Sequence, residues 1–185
     1  MDDINTVGYY YGKPYITFLF SGAIYSVGVL SKNQWLRETG LIMGTALISA
    51  GILEIGLKPL IGRARPPTET GNYDLTFFNM KPAYQSFPSG HAAMAFTASL
   101  VLAKRSKCVH VKIFFYSLAT TTAICRLYSD VHWVSDVAFG GVLAWYCSEV
   151  ALKRLQQNRF KNPHQKSIWS VTPYPGGLSL RATFK

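Results

Sequence analysis

The stretch Cys125-Arg126-Leu127-Tyr128-Ser129-Asp130-Val131-His132-Trp133-Val134-Ser135-Asp136 puts a guanidinium, an imidazole and a carboxylate at the lip of an apolar segment. If the residues from His132 onward are helical, His132 and Asp136 stand at i and i+4, on one face and within hydrogen-bonding reach. An Asp that accepts the proton of one ring nitrogen fixes the tautomer. The other nitrogen's lone pair is then free to attack or to take a proton. The same spacing also describes an ordinary pair at a helix end, with Arg126 and Asp130 as a second one.

Two further stretches hold matching chemistry. Pro88-Ser89-Gly90-His91 ends a loop and opens a helix. There the Ser89 hydroxyl and the N–H groups of Ser89 and Gly90 can point at an anion, and His91 can protonate a leaving oxygen. Read plainly, it is turn chemistry with a helix-end histidine. Lys58 and Arg65-Pro66 sit just past an apolar segment. They either anchor it by snorkelling or supply a phosphate site, Arg as a planar fork and Lys as a point charge. Arg63 is left outside the phosphate-binding set. Phe77, Phe78, Tyr84 and Phe87, in the same loop, either contact a lipid chain or simply pack.

Composition leaves soluble and membrane forms both open. The chain has 185 residues, enough for one domain with a real core; 49% are hydrophobic and 15% charged. Mean hydropathy is only +0.12. The net charge of +10 fits an anionic membrane or a phosphorylated substrate. No basic face interleaved with stacking aromatics points to nucleic acid. Cys108, Cys125 and Cys147 form neither a CxxC spacing nor an even set, which favours structural thiols over disulfides or zinc.

The elements that must position these residues are apolar segments at 15–31, 39–57, 91–103, 110–125 and 133–152. A membrane span needs about 20 residues, so the first two just qualify and 91–103 is short. Residues 39–57 contain one charge, Glu54, and 58–90 read as a long loop. The acidic start of the chain is the wrong flank for a signal peptide. The loops after the first, third and fifth segments carry the Lys and Arg excess and belong in the cytoplasm. All three chemical stretches then share the opposite side. The N-terminus joins them there, with an odd number of spans, where one more N-terminal helix would be ordinary. Two domains follow: 1–162, holding the motifs, and a tail, 163–185, with a short strand or hairpin after Pro175-Gly176-Gly177.

Taken in order, Lys-x6-Arg-Pro, Pro-Ser-Gly-His and Arg-x5-His-x3-Asp resemble the type 2 phosphatidic acid phosphatase superfamily, over Lys58 to Asp136 in motif and over most of 15–152 in apolar layout. That superfamily includes membrane lipid phosphatases, class A acid phosphatases and vanadium haloperoxidases. Cys125 departs from its usual Ser, a weaker donor that affects the placing of Arg126.

The resemblance implies an all-α integral-membrane bundle of about five or six helices with its active site at the periplasmic end of a bacterial inner membrane. It implies a hydrolase acting on a phosphomonoester or diphosphate of a membrane lipid, with no metal or cofactor. His132 is then the nucleophile, Asp136 its orienter and His91 the general acid. Lys58, Arg65, Ser89, Gly90 and Arg126 hold the phosphate. The alternatives are a soluble class A acid phosphatase and, less favoured, a vanadate-dependent haloperoxidase. Substrate identity and oligomeric state stay open.

Overall fold

In the computed structural model, which describes residues 2–161, 167–174 and 177–184, the chain divides into two compact units, Met1–Leu152 and Lys153–Lys185. Six α-helices account for most of it: α1 Asp2–Tyr11, α2 Pro14–Leu30, α3 Gln34–Ile61, α4 Gly90–Arg105, α5 Val109–Tyr128 and α6 Val134–Lys161. The tail beyond α6 holds an antiparallel pair, β1 Ser167–Tyr174 with β2 Gly177–Phe184, in which Ser167 faces Phe184. Residues 162–166 and the Pro175-Gly176 pair of the expected turn lie outside the described residues.

Local chemistry sets the helix ends. Pro14 opens α2, where its missing N–H costs nothing. The Asn33 side chain accepts from the Leu36 N–H at 3.2 Å and caps α3. At the other end Gly62, with φ +57°, ends α3 and donates its N–H to the Lys58 carbonyl. So α3 runs past the expected boundary, and Lys58 and Pro59 belong to its last turn rather than to a loop. Helix α1 is not among the expected segments, because its ten residues are polar to aromatic and hold too little aliphatic content to stand out as an apolar run.

Helix α4 is the centre of the first unit. It packs on α3 and α5, α2 packs on α3, and α1 on α5. Its buried face is mostly small, with Ala92, Ala93, Ala95, Ala98 and Ala103 beside Met94 and Val101, so neighbouring backbones can approach closely. At the end of α4 away from His91, Arg105 reaches Glu38 at 3.3 Å and Thr39 at 3.0 Å, and Lys104 pairs with Glu149.

Large apolar side chains face outward. Leu19, Ile52, Ile55, Phe114, Ile124 and Val142 are all exposed. Soluble monomers seldom present so much apolar helix surface. By length and hydropathy α3 is the one helix among the described residues able to cross a membrane, with α2 a shorter apolar helix. This is fewer than the five expected spans. The cause is local: α4 has 16 residues, and α5 and α6 are diluted by Thr, Ser and charged residues.

Candidate active site

The site is built where the segment between α3 and α4 folds back over the α5–α6 turn. That segment is not loose. Thr76 N–H donates to the Gly62 carbonyl at 2.8 Å, Ala64 N–H to Asp74 at 3.0 Å and Arg65 N–H to Ala83 at 2.9 Å. Short 3-10 turns at Pro66–Thr68 and Pro82–Tyr84 complete it. The α5–α6 turn is shaped by Asp130 at φ +51° and pinned by Trp133, whose indole N–H donates to the Ala64 carbonyl at 2.8 Å. Pinning the turn fixes His132 beside it.

His132 lies just before α6 rather than in it, and Asp136 does not bond it. The Nδ1 to Oδ2 separation is 3.7 Å, beyond a hydrogen bond. Nδ1 instead lies 2.8 Å from the Ser86 carbonyl, which can only accept, so Nδ1 carries the proton and Nε2 keeps its lone pair. The Asp136 carboxylate is occupied elsewhere. It accepts from Arg63 Nη1 and Ser86 Oγ, each at 2.5 Å, and from the Trp133 N–H at 2.9 Å, the last a reach back to the residue before α6. Asp136 thus stands 3.7 Å from the ring as a charge and also holds the hydroxyl of Ser86, whose carbonyl accepts from the ring.

Three residues from α3 and the segment that follows it, all outside the expected set, enter the site. Arg63 is buried and bonds Asp136, Ser135 and the Asn72 carbonyl; it positions the carboxylate rather than facing a ligand. Ser86, fully buried, has no signal in the sequence. Glu54 pairs with Lys58 at 3.1 Å, and a Cβ on Gly90 would stand 2.3 Å from its carboxylate oxygen. A lone charge inside an apolar run was the available signal for Glu54.

The expected phosphate-binding groups converge. Lys58 Nζ lies 3.4 Å from the Gln85 carbonyl, and Arg65 Nε donates to the Pro82 carbonyl at 3.1 Å. Lys58 and Arg65 both act electrostatically on His132, as do Lys58, Arg126 and His132 on His91. Of the four buried side-chain polar atoms without a hydrogen-bond partner among the described residues, three are Ser89 Oγ, His91 Nε2 and Arg126 Nε. Buried polar atoms are nearly always paired, so this cluster points to a ligand. One expectation changes: the Ser89 N–H donates to the Asp136 carbonyl at 3.1 Å, tying α4 to α6, so it is not available to an anion. The Ser89 hydroxyl remains available.

Burial pushes the His132 imidazole below its ordinary range; Arg65 and Lys58 push the same way, against Asp136. The neutral, nucleophilic ring therefore persists below the usual histidine range. The acid limb of kcat/KM set by His132 is expected to lie below pH 6.5, the ordinary value. Arg65→Gln removes a repelling charge and should move that limb to higher pH. A pH–rate profile of both proteins checks this; an unmoved limb, or a wild-type limb above that value, contradicts it.

Of the aromatics in the motif loop, Phe87 packs on Phe139 with ring centroids 4.6 Å apart, whereas Phe77 and Phe78 are exposed. Tyr9 of α1 was not foreseen: its ring stacks on His91, with centroids 5.4 Å apart.

The helical bundle gathers imidazoles, guanidiniums and a lysine at one end from three distant stretches, a set of positive donors whose chemistry suits an oxyanion. The chain belongs to the PAP2 superfamily, whose family model matches residues 39–160. It is 34% identical over 122 residues to a lipid A 1-phosphatase of Rhizobium etli, covering 60% of this chain and 50% of that one. It is 30% identical over 138 residues to a lipid A 4'-phosphatase of Bacteroides thetaiotaomicron, covering 69% and 56%. The chain thus spans about half the length of the curated relatives it matches. Among solved structures it resembles LpxE of Aquifex aeolicus with a TM-score of 0.64 and 28% identity, over 82% of this chain and 85% of that one.

Proposed function

We propose that this protein is a lipid phosphatase that hydrolyses a phosphomonoester or diphosphate on a membrane lipid through a phosphohistidine. The observation that carries the proposal is the trio of unpaired buried atoms, Ser89 Oγ, His91 Nε2 and Arg126 Nε, gathered from two of the three motifs. The names of the relatives, lipid A 1- and 4'-phosphatases, support a lipid-borne phosphate as substrate.

In this mechanism His132 Nε2 attacks phosphorus, forming a P–N bond as the P–O bond to the leaving group breaks. His91 gives that oxygen its proton, then takes one from the water that cleaves the P–N bond and releases phosphate. Lys58, Arg65 and Arg126, with the Ser89 hydroxyl and the Gly90 N–H, hold the three equatorial oxygens while charge shifts among them. Asp136 keeps His132 in place through Ser86 and as a charge beside the ring. With this positive charge supplied by side chains, the mechanism needs no metal.

We place the enzyme in a bacterial inner membrane with the site facing the periplasm. The clustering of Lys and Arg in alternate loops and the exposed apolar helix surface support that placement. The same exposed surface argues against a soluble acid phosphatase.

The test is phosphate release by detergent-solubilised protein, with EDTA present, from phosphatidate, phosphatidylglycerophosphate, undecaprenyl diphosphate and lipid A. EDTA-resistant release from at least one is expected. A folded protein inert on all four, or active only with added divalent metal, refutes the proposal.

A further inference from the structure

Helix α1 lies outside the matched residues 39–160, yet it reaches the end of the bundle that holds the site. Two glycines four residues apart seat it there. A Cβ on Gly8 would stand 2.5 Å from Cys125 Sγ, and one on Gly12, just past the helix, 2.9 Å from His91 Cβ and 2.7 Å from Thr122 Cγ2. Only hydrogen at both positions lets α1 come this close to α4 and α5. The Tyr11 hydroxyl and Ser99 Oγ, 2.9 Å apart, tie the same turn to α4.

This seat puts the Tyr9 ring on two groups of the site at once. It stacks on the His91 imidazole, with planes 21° and centroids 5.4 Å apart, and its centre lies 5.5 Å from the Arg126 guanidinium. Lys13 Nζ lies 4.4 Å from the same centre, a second cation that helps to fix the ring. His91 needs such a wall. The first turn of α4 fixes its Cβ, but the ring can still turn about two side-chain bonds, and Nε2 has no hydrogen-bond partner among the described residues to hold it. A general acid must keep that nitrogen within about 3 Å of the leaving oxygen. The restraint comes from packing, with Tyr9 against the imidazole and Gly12 against its Cβ.

We propose that α1 is part of the machinery of the reaction, and that Tyr9 is the positioning residue that holds the His91 ring with Nε2 aimed at the leaving-group oxygen. The inference rests on the phosphatase function proposed above and adds to it a residue from outside the three motifs. Tyr9 exchanges no proton in this role. Its ring does the holding, so Phe should replace it and an aliphatic side chain should not.

The experiment compares wild type with Tyr9→Phe, Tyr9→Leu and His91→Asn on two phosphate monoesters of matched chain, dodecyl phosphate and a dodecyl-substituted nitrophenyl phosphate. An alkoxide needs a proton in order to leave and a nitrophenolate does not. The ratio of kcat/KM, aryl over alkyl, therefore reads delivery of that proton. It is expected to rise by about tenfold or more in His91→Asn and in Tyr9→Leu, and to stay within a few fold of wild type in Tyr9→Phe. Misfolding, or displacement of Arg126, slows both esters alike and leaves the ratio unmoved. An unchanged ratio in Tyr9→Leu overturns the proposal, and so does one in His91→Asn. In parallel, wild type, Tyr9→Phe and Tyr9→Leu carrying isotope-labelled histidine are titrated with inorganic phosphate. The NMR resonance of His91 Nε2 should shift in the first two proteins and not in the third; a shift common to all three, or absent from wild type, also overturns the proposal. If wild type cleaves neither ester, that shift alone decides whether Tyr9 aims His91 at phosphate, whereas inertness on the four lipids named above is what fails the phosphatase function.

Discussion

His132→Ala is expected to abolish phosphate release, by about 10⁴-fold or more, while the protein still purifies as a folded bundle. The loss should be that large because no other group in the site can take over. His91 stacks on Tyr9 rather than sitting on the Ser86 carbonyl that orders the nucleophile, and the remaining groups are cations, the Asp136 carboxylate engaged by its three donors, and the Ser89 hydroxyl, a far weaker nucleophile than a neutral imidazole. The variant keeps Asp136 bound to Arg63, Ser86 and Trp133, so the turn should hold its shape. Phosphate assays and thermal unfolding in the same detergent check both halves. Acid-labile, base-stable labelling by a phosphorylated lipid should appear in wild type and disappear in the variant. Near-normal turnover by the variant would refute the choice of nucleophile.

The second large effect is expected at Asp136, where stability and activity should fall together. Its carboxylate is fully buried and bonded to Arg63, which is itself buried. Asp136→Asn presents an N–H₂ to one of three groups that all donate, and leaves the Arg63 charge unpaired. Breaking one partner of a buried ion pair costs about 3–5 kcal/mol. Turnover should fall by about 10²- to 10⁴-fold, because Ser86 loses the bond that keeps its carbonyl on His132 Nδ1. The double variant Arg63→Met/Asp136→Asn should recover much of the stability without recovering activity, since the uncompensated charge is gone but Ser86 is still unheld. Thermal midpoints and kcat for the two single variants and the double variant make the cycle. A stable, active Asp136→Asn protein would remove Asp136 and Ser86 from the positioning chain.

Sequence by itself determined the residue types and their order. Lys58, Arg65, Ser89, Gly90, His91, Arg126, His132 and Asp136 stand at spacings that suit gripping and transferring a phosphoryl group, and the apolar runs between them are helices. The helical bundle was legible for the same reason: long apolar runs bounded by Gly, Pro and basic residues leave few other structures. Tertiary structure decided who bonds to whom. The i and i+4 spacing suggested that Asp136 orients His132 directly, but His132 precedes the helix and the carboxylate is claimed by Arg63, Ser86 and the Trp133 N–H. Which donor reaches an acceptor depends on how a loop folds over a turn, and no local period encodes that. Ser86 and Tyr9 were invisible for this reason: one sits in a loop, the other on a short polar-to-aromatic helix, and both gain a role only when distant segments meet. Glu54 stood in plain view as the one charge in an apolar run, and its pairing with Lys58 is an i,i+4 contact once α3 runs on past Leu57, but its approach to Gly90 became evident only when α3 met the start of α4.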